Sequence, residues 1–398
     1  MRRYRFTALG LSLLVLASCA SVSEKGTIAQ LQKVKLDLTD EKIEGGIEKA
    51  MQGYQKFLEE TPESAMTPEA MRRLADLKIE KEYGILESPS QPVAQRAPAT
   101  STPLDRPESA VIAGHQAVET EQPDVARESQ QDFEARTTQM DVPENADASL
   151  AVQDGLANKG AEEAIKLYKE LLEKYPFYER NDQVLYQMTR AYEELGEVEQ
   201  AIEVMNRIVA DYPDSRVIDE IQFRRGEFYF MRKKYLDAER AYLAIAEMGA
   251  SSFYYEMALY KLGWTFYKQD MLEEAMNQFV ALLDHKINTG YDFANPTDEY
   301  EQKRIEDTHR VISLSFSAMG GPEAVVDYFE KYGERSYEVD IYRNLGEHYL
   351  EKRRYADAAS AYKTFVKLNP YNKVSPHFDM RVIEIYKKGG FPKLVIEA

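Results

Sequence analysis

One residue in this chain stands where covalent chemistry is expected. Cys19 is the only cysteine among 398 residues, so its thiol has no partner for an intramolecular disulfide. It follows the small residues Ala17 and Ser18 at the end of a short apolar run, Ala8 to Ala17, itself preceded by Arg2, Arg3 and Arg5. Other reactive residue types are dispersed. His115, His285, His309, His348 and His377 include no pair at i, i+4 spacing that would hold a metal on one helix face. Glu193-Glu194 and Glu273-Glu274 fall at polar breaks between helical patterns, where solvated charge is the default reading, as it is for the loop acids Asp298, Glu299 and Glu301. No glycine-rich phosphate loop, GxSxG, HExxH or CxxC occurs. With no pattern that unites nucleophile, base and oxyanion donors, the chain is expected to be non-enzymatic, with no cofactor and no metal.

The elements around Cys19 explain its position. An apolar run of ten residues is half of the ~20 needed to cross a bilayer, but it suits the core of a signal peptide. Leu16-Ala17-Ser18-Cys19 resembles the bacterial lipobox. The resemblance implies cleavage before Cys19, so that residues 1–18 are a lipoprotein signal peptide, and acylation of the thiol. A secretory leader that happens to end near a structural cysteine is the alternative. Ala20 follows the cysteine, not Asp, which by the same resemblance implies delivery to the outer membrane, facing the periplasm. The implied acyl chains would hold firmly, at ~0.8 kcal/mol per buried CH₂. The net charge of −18 disfavours nucleic acid and peripheral binding to anionic headgroups.

Residues 19–38 read as a tether, and residues 39–84 carry a helical pattern. Residues 85–155 hold seven of the sixteen prolines, and Phe133 is their one aromatic. A tract so poor in apolar residues is expected to be disordered, because it cannot offset its ordering entropy. From 156 to 398 the pattern is helical, with polar breaks every 15–20 residues.

Those breaks recur with a period. Ala164, Ala201, Ala238 and Ala275 are spaced 37 apart, and Ala324 and Ala358 are spaced 34. Four residues after each stands a large side chain: Tyr168, Met205, Tyr242, Phe279, Tyr328 and Tyr362. Aromatics also mark the preceding helix, at Tyr192, Tyr229, Phe266 and Tyr349, and account for much of the excess of 27 tyrosines. Pro62, Pro176, Pro213 and Pro370 close second helices. This alternation resembles the tetratricopeptide repeat, whose period is about 34 residues. It implies an all-α solenoid of helix hairpins. The repeat around 305–335 is degenerate, with Ser315 in place of the aromatic, and about 15 extra residues are expected near Thr289–Tyr300.

Residues 43–62 match a second helix, and 67–84 match a first helix with no second helix following. Ala164–Pro176 is a second helix with no first helix directly before it. Pairing the two puts Ala75 and Ala164, 89 apart, in one hairpin whose turn carries roughly 77 extra residues. A tether to a separate body is the alternative. The closing FPKLVIEA resembles the start of a further helix, as though the array continued.

The repeat resemblance implies a concave face lined by first helices. Its positions fall here on Tyr186, Arg190, Phe223, Phe230, Tyr260, Trp264, Tyr267 and Arg343, a partner-binding groove with an aromatic centre; packing of these rings against neighbouring helices is the alternative. The function implied is that of a periplasm-facing, lipid-anchored scaffold for other envelope proteins. In plan it is similar to the tetratricopeptide lipoproteins of β-barrel assembly, pilus-secretin and gliding complexes, and in style most to the barrel-assembly type. Groove aromatics stacking on peptidoglycan sugars are the second reading. A ~70-residue insertion, spanning ~45 Å r.m.s., would itself reach peptidoglycan or another partner.

Overall fold

The structure is a computed structural model, and it describes residues 45–61, 63–83, 129–137, 158–293 and 298–398. Cys19, the leader and the tether lie outside the described residues, as does most of 85–155. The chain divides into a unit of residues 1–50, described from Gly45 onward, and a unit of residues 51–398 that carries the repeats.

Every regular element among the described residues is helical. In chain order they are α1 (Gly46–Glu60), α2 (Thr67–Tyr83), α3 (Gln130–Thr137), α4 (Asn158–Lys174), α5 (Asn181–Glu194), α6 (Val198–Asp211), α7 (Ile218–Met231) and α8 (Tyr235–Met248). Then follow α9 (Tyr255–Lys268), α10 (Leu272–Asn288), α11 (Glu299–Met319), α12 (Pro322–Tyr332), α13 (Glu338–Glu351), α14 (Tyr355–Leu368), α15 (Ser375–Gly389) and α16 (Pro392–Glu397). No helix is long and apolar enough to cross a membrane, among the described residues.

Consecutive helices from α4 to α15 pack pairwise as antiparallel hairpins stacked on one another, the solenoid of tetratricopeptide type that the repeats imply. The close approach within a hairpin explains its small residues. A Cβ added at Gly263 would lie 2.7 Å from the Phe279 ring, and one at Gly346 would lie 2.5 Å from Tyr362. Gly226 faces Tyr242 in the same way. The recurrent alanines are buried at the same interfaces: Ala164, Ala238, Ala275 and Ala358 are fully inaccessible.

Four of the hairpin turns share one geometry, and the α11–α12 turn differs, running through Gly320 and Gly321 at φ 126° and 81°. Gly196, Lys233, Asp270 and Arg353 all take left-handed backbone angles, φ between 57° and 71°. The next residue's N–H returns to the carbonyl of the helical aromatic, as in Lys234 to Tyr229 and Met271 to Phe266, at 2.9 and 3.0 Å. This is a Schellman closure, which satisfies carbonyls left open at the helix end. Pro176, Pro213 and Pro370 each follow their second helix by two residues, and α8, which lacks such a proline, runs on into a 3₁₀ turn at Gly249–Ser251. The extra residues near 289–300 lengthen the elements beside them, so that α10 has 17 residues and α11 has 21, against 14 in α5 to α9.

The first hairpin is discontinuous. α2 packs along α4, and Met71, Ala75 and Ile79 share a core with Ala164, Ile165, Tyr168 and Leu172. Buried polar groups lock the pair: the Tyr168 hydroxyl donates to Asp76 at 2.7 Å, and Arg72 donates to the same carboxylate at 2.8 Å. At its far end, Glu82 accepts from the amides of Gly160 and Ala161, at 2.7 and 3.2 Å. A carboxylate from α2 thus caps the open N-terminus of α4.

Candidate functional site

First helices α5, α7, α9, α11 and α13 present one face of the solenoid, and the expected groove residues sit on four of them. They do not form an open aromatic strip. Tyr186, Phe223, Phe230, Tyr260 and Trp264 are all buried, and each ring has a partner. Phe223 stacks on Tyr254 at 5.0 Å, Phe230 meets Tyr235 edge-on at 5.5 Å, and Tyr260 meets Phe279 at 6.2 Å. The Tyr186 hydroxyl donates to Glu220 at 3.0 Å, and burial together with that carboxylate pushes its pKa up to about 12. Arg190 is half-buried with its guanidinium 6.0 Å from the Tyr186 ring. Arg343 is exposed, pairs with Asp340 and lies 5.8 Å from the Phe378 ring. The expected strip therefore divides into an α5–α7 patch, an α9 cluster of Tyr260, Trp264 and Tyr267, and the distant Arg343.

The α5–α7 patch is held by charge. Arg224 bridges Glu193 and Glu220, both at 2.7 Å, and these pairs keep its guanidinium protonated although burial opposes it. One repeat further, Lys261 pairs with Glu227 at 3.3 Å, and Glu227 also accepts from the Tyr242 hydroxyl. Lys261–Glu227 is the buried pair of the three, and removing one of its partners costs about 3–5 kcal/mol, which fixes the register between those two repeats.

What covers the α9 cluster comes from the tract expected to be disordered. Residues 130–137 are the helix α3, and Phe133 is fully buried against Trp264, ring centroids 5.6 Å apart. The Arg310 guanidinium sits over the Phe133 ring, 4.0 Å from its centroid. Arg136 forks onto Asp307 with two bonds of 2.9 Å, Lys268 donates to Glu134 at 2.6 Å, and Lys352 donates to Gln130 at 3.2 Å. These partners lie on α9, on α11 and at the C-cap of α13, so α3 crosses the first helices of three successive hairpins. Burial pushes Tyr267 up to about 12, with Glu134 next to it reinforcing the shift. Burial also acts to raise Glu134, but bonds from Lys268 and Gln130 outweigh it and hold that carboxyl below its usual range.

The expectation of disorder for 85–155 therefore fails at 130–137, for a local reason. Ser129 accepts from the Asp132 amide at 3.1 Å and donates to its carboxylate at 2.6 Å, a side-chain N-cap that starts a helix. The signal was present as Ser-x-x-Asp just before the tract's lone aromatic. Arg310, Asp307 and Lys268 carried no such signal, because only the fold brings them to Phe133. No cluster of His, Cys, Asp or Glu suited to a metal ion occurs among the described residues.

Family models of the tetratricopeptide repeat match three stretches, residues 156–222, 257–285 and 318–373. No curated protein matches the chain. Among solved structures, the chain is similar to a tetratricopeptide repeat protein from Parabacteroides merdae, at 15% identity and a TM-score of 0.34, over 87% of this chain and 93% of that one. It is also similar to the C-terminal part of a TPR repeat-containing protein from Cytophaga hutchinsonii, at 12% identity and a TM-score of 0.34, over 84% and 95% of the two chains. Such likeness is too slight to argue function. The hairpin geometry and the three matched stretches together identify these segments as tetratricopeptide repeats.

Proposed function

We propose that this array of tetratricopeptide hairpins is a periplasm-facing scaffold, anchored in the outer membrane through acylated Cys19, that gathers other proteins of the cell envelope into a complex. One observation carries the binding half of this reading: the face built by the first helices already holds a helical segment by an aromatic anchor and charged pairs. Repeat solenoids present such faces because each hairpin buries itself only on its neighbours and leaves one side open. The anchoring half rests on the leader and Leu16-Ala17-Ser18-Cys19, and the barrel-assembly type of lipoprotein remains the nearest in style.

Crosslinking in native envelopes, followed by mass spectrometry, tests the scaffold. Recovery of a constant set of envelope proteins supports it, and crosslinks to none would sink it. Cys19→Ser is expected to abolish palmitate labelling and release the chain from the membrane fraction; unchanged fractionation would remove the anchor. The peptidoglycan reading loses ground, because sugar stacking needs open ring faces and Trp264 lies under Phe133.

A further inference from the structure

We infer that the pocket formed by α9, α11 and α13 is a receptor for a short helix of one chemistry, a phenylalanine with an acid beside it and an arginine one turn on, and that α3 is the chain's own occupant, which a partner protein's helix of that kind displaces. This rests on the scaffold reading and names the partner that the face would take.

The pocket is built for such a guest. Its floor is Trp264 with Tyr267, its walls are the cations Lys268, Arg310 and Lys352, and Asp307 is the acid that receives the guest's arginine. Each of these groups touches α3, at Gln130, Phe133, Glu134 or Arg136. The ring takes the floor, the glutamate takes Lys268, and the arginine takes Asp307 in a two-bond fork that a lysine could not reproduce. A chain of net charge −18 that nevertheless gathers three cations around one aromatic floor is complementary to an acidic, aromatic guest.

Two observations mark the occupant as replaceable. α3 has only eight residues, shorter than helices that persist alone, so it is held by the pocket and not by itself. Among the described residues, the buried Trp264 Nε1 also has no acceptor, and the buried His348 Nε2 on α13 has no hydrogen-bond partner. A guest that offered an acceptor to Trp264 would bind better than α3 does. Because α3 belongs to the same chain, it competes at a high effective concentration, and partner affinity is lowered by the fraction of time the pocket is filled.

The test uses the purified full chain and a fluorescein-labelled peptide of residues 127–139. Trp264 is the chain's only tryptophan and reports the pocket directly. Phe133→Ala is expected to red-shift its emission, and the peptide to restore it. The peptide should bind Phe133→Ala at least tenfold more tightly than wild type, Asp307→Asn should weaken that binding, and a peptide with alanine for phenylalanine should not bind. Equal affinity for wild type and variant, no binding to either, or unchanged Trp264 emission would overturn the inference. A chain deleted for 129–137, checked for retained helicity, repeats the titration independently of the point variant. If wild type sediments as a dimer that Phe133→Ala dissolves, α3 serves a second copy, and self-occupancy is wrong. The titration involves purified protein only, so its failure leaves the envelope crosslinking result standing, and failure of the crosslinking leaves the titration standing.

Discussion

At the scale of single residues, burial has set the protonation of the groups around the α3 pocket. His348 is 8% exposed, and burial first, then the cations Lys352, Arg310 and Arg354, lower its pKa to about 4. A histidine depressed in the folded state stabilises fully above its unfolded pKa of about 6.5, and that contribution is lost as pH falls toward the folded value. The shift corresponds to at most about 3 kcal/mol. Unfolding midpoints should thus decline from about pH 6.5 to 4, and His348→Gln should flatten the decline. His309 is half-buried and its pKa is also lowered by burial, so it contributes in the same direction, and the double variant should be flattest. A wild-type midpoint unchanged across this window would refute the assignment. Among the expected site residues, Trp264 and Tyr267 were legible from repeat position alone. Their being covered was not, since Phe133 lies 131 residues earlier in the chain and no period links the two.

At the scale of elements, the hairpin interior and its turn respond oppositely to substitution. Gly263→Ala places a methyl group against Phe279 in a packed interface and should destabilise by about 1–3 kcal/mol, read by chemical denaturation. Lys233→Gly relieves a left-handed residue that is not glycine, φ 58°, and should stabilise by about 0.5–1 kcal/mol. A loss at Lys233→Gly would show that its side chain matters more than its backbone. The repeat pattern made these hairpins readable because small and aromatic residues recur wherever two helices meet. It misjudged 130–137, where composition over seventy residues masked an eight-residue helix with its own N-cap serine. It also expected about 15 extra residues near Thr289–Tyr300, of which Glu299 and Tyr300 belong to α11.

At the scale of the whole molecule, the repeat-bearing unit depends on a helix far from its neighbour in sequence. Deleting residues 45–83 removes α2, exposes Ile165, Tyr168 and Leu172 of α4, and leaves the amides of Gly160 and Ala161 without their cap. The shortened chain is expected to lose α4 as ordered helix and to self-associate, measured by hydrogen exchange and light scattering; unchanged protection in α4 would count against the pairing. The reading of 67–84 and Ala164–Pro176 as halves of one hairpin came from two helices each lacking a mate. Its chemistry, Asp76 between Arg72 and Tyr168 with Glu82 over the α4 amides, is visible only in three dimensions.

That discontinuous hairpin has a consequence for how the polypeptide tolerates being cut. Its halves are joined by a buried apolar seam and a shared carboxylate, and the peptide link between Tyr83 and Asn158 is not among the forces that keep them together. A protease that nicks the chain once between residues 84 and 128 should leave two fragments that co-migrate until denatured. Genes for the two fragments, expressed side by side, should likewise reconstitute a single particle.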